Sequence, residues 1–232
     1  MDNTRRLQYL EAMGIDVWLP RASVHSEQAL SSEVVTDNAE QETTASTTDK
    51  WDVLQAEVAN CTKCALCATR TQTVFGAGNK QADWMLVGEA PGQHEDEQGL
   101  PFVGKAGLLL TEMLRAIGLT REEVFITNIL KCRPPNNRDP HAGEVESCND
   151  YLQRQQKLIQ PKIILAIGRI AAQTLLKTDE PLARLRGKVH IFNNTPVVVV
   201  YHPAYLLRSL SEKRKAWLDL KLAMQTVKDS EG

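Results

Sequence analysis

The residues best suited to chemistry lie in a glycine-rich segment, residues 88–107. It carries the carboxylates Glu89, Glu95 and Asp96 and the aromatic ring of Phe102. The interspersed glycines allow the backbone to approach a ligand closely, and carboxylates can accept protons from it. The segment follows an apolar run, so it should leave the C-terminal end of a strand, where open α/β sheets bind their ligands. We therefore predict that this segment forms part of an active site.

The five cysteines form a second candidate site. Cys61 and Cys64 make a C-x-x-C pair, Cys67 follows three residues later, and Cys132 and Cys148 flank a proline-rich segment. Without an export signal, a disulfide framework is not expected. Four thiolates would hold either a zinc ion or an iron–sulfur cluster, and the spacing leaves the metal open. The alternative is that Cys148 is a buried helix cysteine and that Cys67 only fills a small apolar position.

Apolar runs and helical patterns alternate along the body of the chain. The apolar runs lie at 84–87, 124–127, 162–167 and 197–201, and the helical patterns at 104–117, 141–159, 168–177 and 212–228. This alternation predicts an α/β fold with a parallel sheet covered on both faces. The loops 88–103, 128–140 and 202–210 follow the first, second and fourth strands, so they should meet at one edge of the sheet and build a single site.

Composition narrows the class of protein. The chain has 232 residues with a net charge of −2 and 24% charged residues, which suits a globular domain with extensions. The charge gives no global case for nucleic-acid binding, so such a surface must be a local patch. The sequence contains neither an apolar run long enough for a bilayer nor a secretory signal, which predicts a cytoplasmic protein without a membrane segment.

Three regions differ in composition. Residues 1–21 have apolar side chains at helical spacing and are predicted to form a short amphipathic, partner-binding peptide. Residues 22–50 are rich in Ser, Thr, Glu, Gln and Ala, so we predict a disordered linker. Residues 51–232 are predicted to form the folded domain.

Three segments and the cysteine spacing resemble the family 4 uracil-DNA glycosylases. The segments are 88–107, 126–140 and 202–208, and the similarity extends over residues 54–228. The resemblance implies a three-layer α/β/α sandwich with a central, mostly parallel four-stranded sheet. It also implies a [4Fe–4S] cluster. The implied ligands are Cys61, Cys64, Cys132 and Cys148, which leaves Cys67 as a spare thiol.

The resemblance implies roles that agree with the chemistry of base excision. A glycosylase extrudes its target nucleotide and reads the flipped base by stacking and hydrogen bonds. Phe102 would stack on the base, and the Asn128 amide offers the acceptor and donors that match the O4 and N3 edge of uracil. His202 would hydrogen-bond uracil O2 and stabilise the uracilate leaving group. Glu89 would orient or activate the attacking water.

The water-activating residue has alternatives. The best-known branch of the superfamily has an aspartate at the position that Ala90 fills. Glu95 and Asp96 are therefore second candidates, with solvated loop charge or capping of the following turn as their structural alternatives. We expect Gly88, Ala90 and Glu95 to line the substrate together with Phe102.

A DNA-binding surface must be assembled from residues in or near the same loops. The candidate phosphate contacts are Lys105, Arg133, Arg138, Arg186, Lys188 and Arg208. Leu206 and Leu207 are predicted to insert into the base stack as apolar wedges. The alternative is that either leucine belongs to the core.

The N-terminal peptide resembles the N-terminal segment of the psi subunit of the bacterial replicative clamp-loader complex. The residues that carry this likeness are Arg5, Arg6, Leu10, Met13, Gly14, Ile15, Trp18 and Arg21. It implies recruitment to the clamp loader through residues 4–21, with folding on binding. The alternative is that the peptide packs on the folded domain.

The sequence therefore predicts a monomeric, bacterial uracil-DNA glycosylase that acts on the nucleoid and starts base-excision repair. One alternative is a homologue that binds uracil-DNA without turnover or traps it covalently. The segment 184–190 does not look like the motif of the trapping relatives. The other alternative is a zinc-binding interaction module of the replication machinery.

Overall fold

The computed structural model describes residues 50–230, and every structural statement below refers to that part of the chain. The peptide 1–21 lies outside the described residues. So does the predicted linker 22–50 except for Lys50, which already belongs to the first described helix. No helix between residues 50 and 230 combines the length and the apolarity needed to cross a bilayer.

The fold is built on one mixed sheet of six strands. The strands are β1 (Ala77–Gly78), β2 (Trp84–Gly88), β3 (Phe125–Asn128), β4 (Ile163–Ile167), β5 (Val189–Phe192) and β6 (Thr195–Val200). Their order is β1-β3-β2-β4-β6-β5, and the four central strands are mutually parallel, as predicted. The prediction missed β1 and β5, which pair antiparallel at the two edges.

Helices connect and cover the strands. They are α1 (50–59), α2 (Gln93–Gln98), α3 (Lys105–Ala116), α4 (Ala142–Ile159), α5 (Arg169–Leu176), α6 (Leu182–Leu185), α7 (Pro203–Arg208) and α8 (Lys213–Asp229). Short 3-10 turns occupy Ala65–Ala68, Pro135–Asn137 and Leu210–Glu212. The four helices predicted from periodicity correspond to α3, α4, α5 and α8, with ends that agree to within one residue.

The core has two halves, one on each face of the sheet. Alternate side chains of β2 point to opposite faces, so Met85 joins one half and Leu86 joins the other. Helices α1, α4 and α5 contribute to the first half, and α3 and α8 to the second. This arrangement is the three-layer α/β/α sandwich expected from the sequence, and it leaves the C-terminal ends of the parallel strands free to carry functional loops.

The parallel register aligns those strand ends. Gly88, the last residue of β2, is the register partner of Asn128, the last residue of β3. On the other side Ile167 of β4 pairs with Val200 of β6. The loops that follow all four strands therefore start at the same edge of the sheet.

Candidate active site

A cleft of about 740 Å³ opens at the C-terminal edge of the sheet. Its walls come from the loops that follow β2, β3, β4 and β6, so the predicted convergence of loops is confirmed. The residues of the glycine-rich segment that line it are Glu89, Ala90, Pro91, Gly92, Glu95, Phe102 and Ala106. The other walls include Asn128 and His202.

Phe102 forms an aromatic wall of the cleft in an unusual backbone conformation. Its φ is 53°, in the left-handed region that non-glycine residues rarely adopt. The conformation depends on Gly107, because a Cβ there would overlap the backbone carbonyl of Phe102. The phenyl ring is buried and stacks on the His202 ring with a centroid separation of 5.7 Å. Phe102 and His202 are far apart in sequence, but their rings lie next to each other in the cleft.

Asn128 presents its amide to the cleft from the end of β3. The residue is 2% exposed, and its side-chain amide makes no hydrogen bond to the residues that the structure describes. Gly88 lies beside it without a side chain, which leaves room for the amide oxygen. Within residues 50–230 no buried side-chain nitrogen or oxygen lacks a partner, so the amide atoms of Asn128 are open to the cleft, where a ligand can supply their hydrogen bonds. Asn128 therefore has the properties of a ligand-reading group.

A fully buried lysine, Lys131, holds the Asn128 backbone. Its ammonium donates hydrogen bonds to Thr127 Oγ1 at 2.6 Å, to the Asn128 carbonyl at 2.8 Å and to Gln155 Oε1 at 2.8 Å. Burial lowers the pKa of Lys131 to about 7. Lys131 was not among the site residues predicted from the sequence, although a lysine within the apolar run 129–132 could have indicated a buried charged group.

His202 is held as a neutral ring with one defined tautomer. It caps α7, and its Nδ1 accepts a hydrogen bond from the backbone N–H of Ala204 at 3.1 Å. Burial, together with the charge of Arg208, lowers the pKa of His202 to about 4, and the charge of Glu95 opposes the shift. A neutral imidazole that accepts at Nδ1 carries its proton on Nε2. This nitrogen remains available as a donor to a ligand.

Glu89 follows β2 and is mostly buried in the wall of the cleft. Burial raises the pKa of its carboxyl to about 7, the nearby charge of Asp139 adds to the rise, and Arg169 opposes it. A carboxyl whose pKa lies near neutrality can exchange a proton with a substrate or a water. Glu89 therefore has the property required of a general base.

The two alternative carboxylates are committed to the backbone. Glu95 accepts from the N–H groups of Gly92, Val103 and Gly104 at 2.9–3.2 Å, which ties the two ends of the glycine-rich segment together. Asp96 is buried and accepts from the backbone N–H of Thr71. Their contacts favour the capping role that was the structural alternative, although Glu95 still lines the cleft.

The predicted phosphate contacts separate into free and committed groups. Arg208 is exposed at the rim of the cleft. Arg138 also lines the cleft but forms a two-pronged ion pair with Glu144, at 2.6 and 2.9 Å. Arg133 is half-buried, and its Nε donates to Asn137 at 2.7 Å.

Arg186 has close protein partners. Its side chain is 9% exposed and pairs with the buried Asp219 at 2.5 Å, while its guanidinium lies 4.0 Å from the ring centroid of Tyr201. These contacts favour a packing role, because the residue follows a short helix that turns it inwards onto α8, and its phosphate contact stays a prediction. Arg186 supports the ring of Tyr201, which lines the cleft.

The two candidate wedge residues have opposite environments. Leu206 is 1% exposed and belongs to the core beneath α7, which favours the core alternative for this residue, and its role as a wedge stays a prediction. Leu207 is 43% exposed on the same helix. Consecutive residues of a helix face different directions, which is why the two leucines have such different environments.

Several residues of the cleft were missed from the sequence. Arg169 and Gly168 follow β4, the one central strand whose exit loop was not considered, and both line the cleft. Arg169 forms an ion pair of 2.6 Å with Asp139 on the opposite loop. Tyr201, directly before His202, also lines it. The glycine at the end of the strand 163–167 was a usable signal, since the same pattern marks the exit of β2.

The cysteines lie near α1 and α4, in or next to the half of the core to which these helices contribute. Cys132 and Cys148 are buried, and Cys61, Cys64 and Cys67 are half-buried free thiols. Burial raises the pKa of Cys132 to about 11, although the hydrogen bond and charge of Arg70 oppose the rise. Cys132 and Cys148 belong to the same buried core cluster, and Cys61 and Cys64 pack against it. No set of three or more Cys, His, Asp or Glu in residues 50–230 is placed to hold a single metal ion.

Comparison with known proteins identifies the family. Residues 75–221, more than half of the chain, match the model of the uracil DNA glycosylase superfamily. A type-4 uracil-DNA glycosylase of Archaeoglobus fulgidus is 49% identical over 167 residues, which is 68% of this chain and 84% of that protein. The chain belongs to the type-4 uracil-DNA glycosylase family.

Two further relatives are similar to this chain. The type-4 uracil-DNA glycosylase of Thermotoga maritima is 40% identical over 181 residues, 76% of this chain and 94% of that protein. A type-5 uracil-DNA glycosylase of Pyrobaculum aerophilum is 31% identical over 146 residues, 56% of this chain and 64% of that protein. Glu89, Asn128 and His202 all fall within the matched superfamily region.

Proposed function

We propose that this chain is a uracil-DNA glycosylase that hydrolyses the bond between uracil and deoxyribose and leaves an abasic site for base-excision repair. The observation that carries the proposal is the free Asn128 amide, which faces the same cleft as Phe102 and His202. The identity of 40–49% to type-4 glycosylases supports the substrate class. The enzyme would act in the cytoplasm, on the DNA of the nucleoid.

In this proposal, Asn128 and Phe102 recognise the extruded base. The phenyl ring provides a stacking surface, and the amide donates to uracil O4 and accepts from N3–H. Cytosine presents the opposite donor and acceptor pattern at these two atoms, so the amide could not make both hydrogen bonds to it. Lys131 fixes the Asn128 backbone and thus keeps the amide in the reading position.

His202 stabilises the leaving group. Bond cleavage places negative charge on the uracil ring, and the proton on Nε2 can donate to O2 as this charge develops. Because the pKa of His202 is lowered to about 4, the ring acts as a neutral donor at physiological pH and does not transfer its proton first. The hydrogen bond from Ala204 fixes the ring in this orientation.

Glu89 acts on the attacking water and on the sugar, whereas His202 acts on the leaving uracil. As a carboxylate, it orients or deprotonates the attacking water and offsets the positive charge that develops on the sugar. Its pKa of about 7 means that a large share of the enzyme carries the charged form under neutral conditions.

The cysteines fit an iron–sulfur cluster better than an isolated set of buried thiols. Cys132 and Cys148 belong to one buried core cluster and Cys61 and Cys64 pack against it, so four thiols from three segments of the chain lie in the same region. A [4Fe–4S] cluster spreads its ligands over several iron atoms. Cys61, Cys64, Cys132 and Cys148 would hold the [4Fe–4S] cluster. It would cross-link α1, α4 and the loop after β3, and glycosidic hydrolysis requires no redox step from it.

DNA would bind across the rim of the cleft. Arg133, Arg138 and Arg208 would contact phosphates, and Leu207 would fill the space left by the extruded base. We propose that the protein acts as a monomer. Residues 4–21 would recruit it to the clamp loader, which binding of that peptide to purified clamp loader would support and an equal affinity of the Trp18→Ala peptide would contradict.

The decisive experiment is cleavage of a uracil-containing oligonucleotide by anaerobically purified protein. We expect alkali-labile abasic sites from the wild type and a strong loss of product with Asn128→Ala and with His202→Ala. Absence of product from wild-type protein that still binds uracil-DNA would favour the binding-only alternative. A protein–DNA adduct that survives SDS would favour covalent trapping.

A further inference from the structure

Arg70 connects the two segments that carry the cysteines. Its Nη1 donates to the Cys132 sulfur at 3.0 Å, and its Nη2 donates to the backbone carbonyl of Cys61 at 2.8 Å. A longer contact of 3.5 Å joins Nη2 to the carbonyl of Ala59. One guanidinium therefore spans the end of α1 and the loop after β3, which are separated by more than sixty residues of sequence.

The charge of Arg70 suits the proposed occupant. Four thiolates around a [4Fe–4S] cluster leave the site with net negative charge, and such charge in a mostly buried site needs a nearby cation. Two nearby lysines have other partners: Lys131 directs its ammonium to Thr127, Asn128 and Gln155, and the ammonium of Lys63 lies over the ring of Tyr151. Within residues 50–230, Arg70 is the charged side chain that hydrogen-bonds to a cysteine sulfur.

A guanidinium is well suited to this position. Its planar fork can donate in two directions at once, and it remains charged at all accessible pH values. Hydrogen bonds to ligating sulfurs stabilise thiolates, and residues that contact the ligands commonly influence metal affinity as strongly as tenfold or more.

We propose that Arg70 is the positioning residue of the cluster site. It aligns the Cys61 and Cys132 segments before assembly and afterwards donates a charged hydrogen bond to the Cys132 thiolate, which slows loss of the cluster. This inference rests on the cluster proposed above. Arg70 does not contact the uracil cleft, so its effect is on retention of the cluster and not on the chemistry of base excision.

The test compares Arg70→Met with a matched control, Arg154→Met, in the full-length reconstituted protein. Arg154 also bridges α1 and α4 through a two-pronged ion pair with Glu57, but it touches no sulfur. The readout is the rate at which the visible absorbance of the cluster disappears in the presence of an iron chelator. We expect the Arg70 variant to lose its cluster about tenfold faster than the wild type, and the Arg154 variant to remain within about twofold.

Arg70→Lys separates charge from geometry and remains informative if Arg70→Met does not fold. A lysine keeps the charge but cannot reach both segments, so its rate should lie between wild type and Arg70→Met. Equal rates for the Arg70 variants and Arg154→Met would overturn the proposal. Iron and acid-labile sulfide are measured on the wild type first, because their absence would overturn the cluster itself while leaving the uracil-cleavage assay unaffected.

Discussion

Gly88 and Asn128 are register partners at the ends of adjacent parallel strands, and the missing side chain of Gly88 is what makes space for the Asn128 amide. A Cβ on Gly88 would overlap Asn128 Oδ1 and would lie 2.7 Å from Cζ of Phe102. The glycine thus lets two side chains of the proposed uracil pocket come together. Its role lies in the ligand site, because its backbone has an ordinary extended conformation.

The first prediction concerns this space. Gly88→Ala should reduce kcat/KM for uracil excision by about 100-fold or more, because both base-contacting side chains must move. Gly143→Ala is the matched control, since a Cβ at Gly143 meets no atom within 4 Å. Single-turnover excision and thermal unfolding of both variants check the prediction. Wild-type activity in Gly88→Ala would show that the pocket is more adaptable than its geometry indicates.

The second prediction concerns the pH dependence of catalysis. Since Glu89 acts as a carboxylate and its pKa is raised to about 7, the single-turnover rate should fall on acidification through neutrality. His202 has its pKa lowered to about 4 and stays neutral over this range, so it does not contribute to the acidic limb. The rate measured from about pH 5 to pH 9 should lose this limb in Glu89→Gln. An unchanged limb in that variant would assign the base to another group.

The third prediction concerns stability. The pKa of Glu89 is raised in the folded state from 4.5 to about 7, so the native state loses stability relative to the unfolded state as pH rises across this interval. Glu89→Gln avoids this loss. It should be more stable than wild type by about 1–2 kcal/mol at pH 8, a value reduced because the carboxyl is partly exposed, and equal to it near pH 4. Urea unfolding at the two pH values tests this, and a larger gain at the acidic pH would contradict it.

The fourth prediction separates the two leucines of α7. Leu206→Ala should lower the free energy of unfolding by about 2–4 kcal/mol, because Leu206 is buried in the core. Leu207→Ala should change stability by less than about 0.5 kcal/mol but weaken binding to uracil-DNA. Chemical denaturation and fluorescence anisotropy measure the two effects. The reverse pattern would restore Leu206 as the wedge.

The fifth prediction distinguishes the two arginines by salt dependence. Arg208→Ala should reduce the slope of log K for DNA binding against log salt by about 1, because a phosphate contact is lost. Arg186→Ala should leave that slope unchanged and cost about 3 kcal/mol of stability, because Asp219 would remain buried without its partner. Binding titrations at several salt concentrations decide between these roles. A reduced slope for Arg186→Ala would return that residue to the DNA interface.

The apolar runs of the central strands were readable from sequence because both faces of these strands are buried. The strands β2 and β4 are buried at every position, so each appears as a continuous apolar run. The edge strand β5 alternates exposed and half-buried residues, and β1 has two residues, so neither produces such a run. The sequence therefore predicted the centre of the sheet and missed its edges.

The residue types of the candidate site could be predicted from the sequence. Glu89, Asn128 and His202 follow strands in a pattern that parallel topology must bring to one edge, and the C-x-x-C pair with two later cysteines already indicated ligation. Tertiary structure decided which groups are available. Arg186 forms an ion pair with Asp219, Glu95 accepts hydrogen bonds from three backbone N–H groups, and Leu206 is buried in the core. Whether a side chain is free to bind a ligand depends on partners that are distant in sequence, so it could be learned only from the tertiary structure. Whether a residue follows a strand depends on local periodicity, so it could be predicted from the sequence.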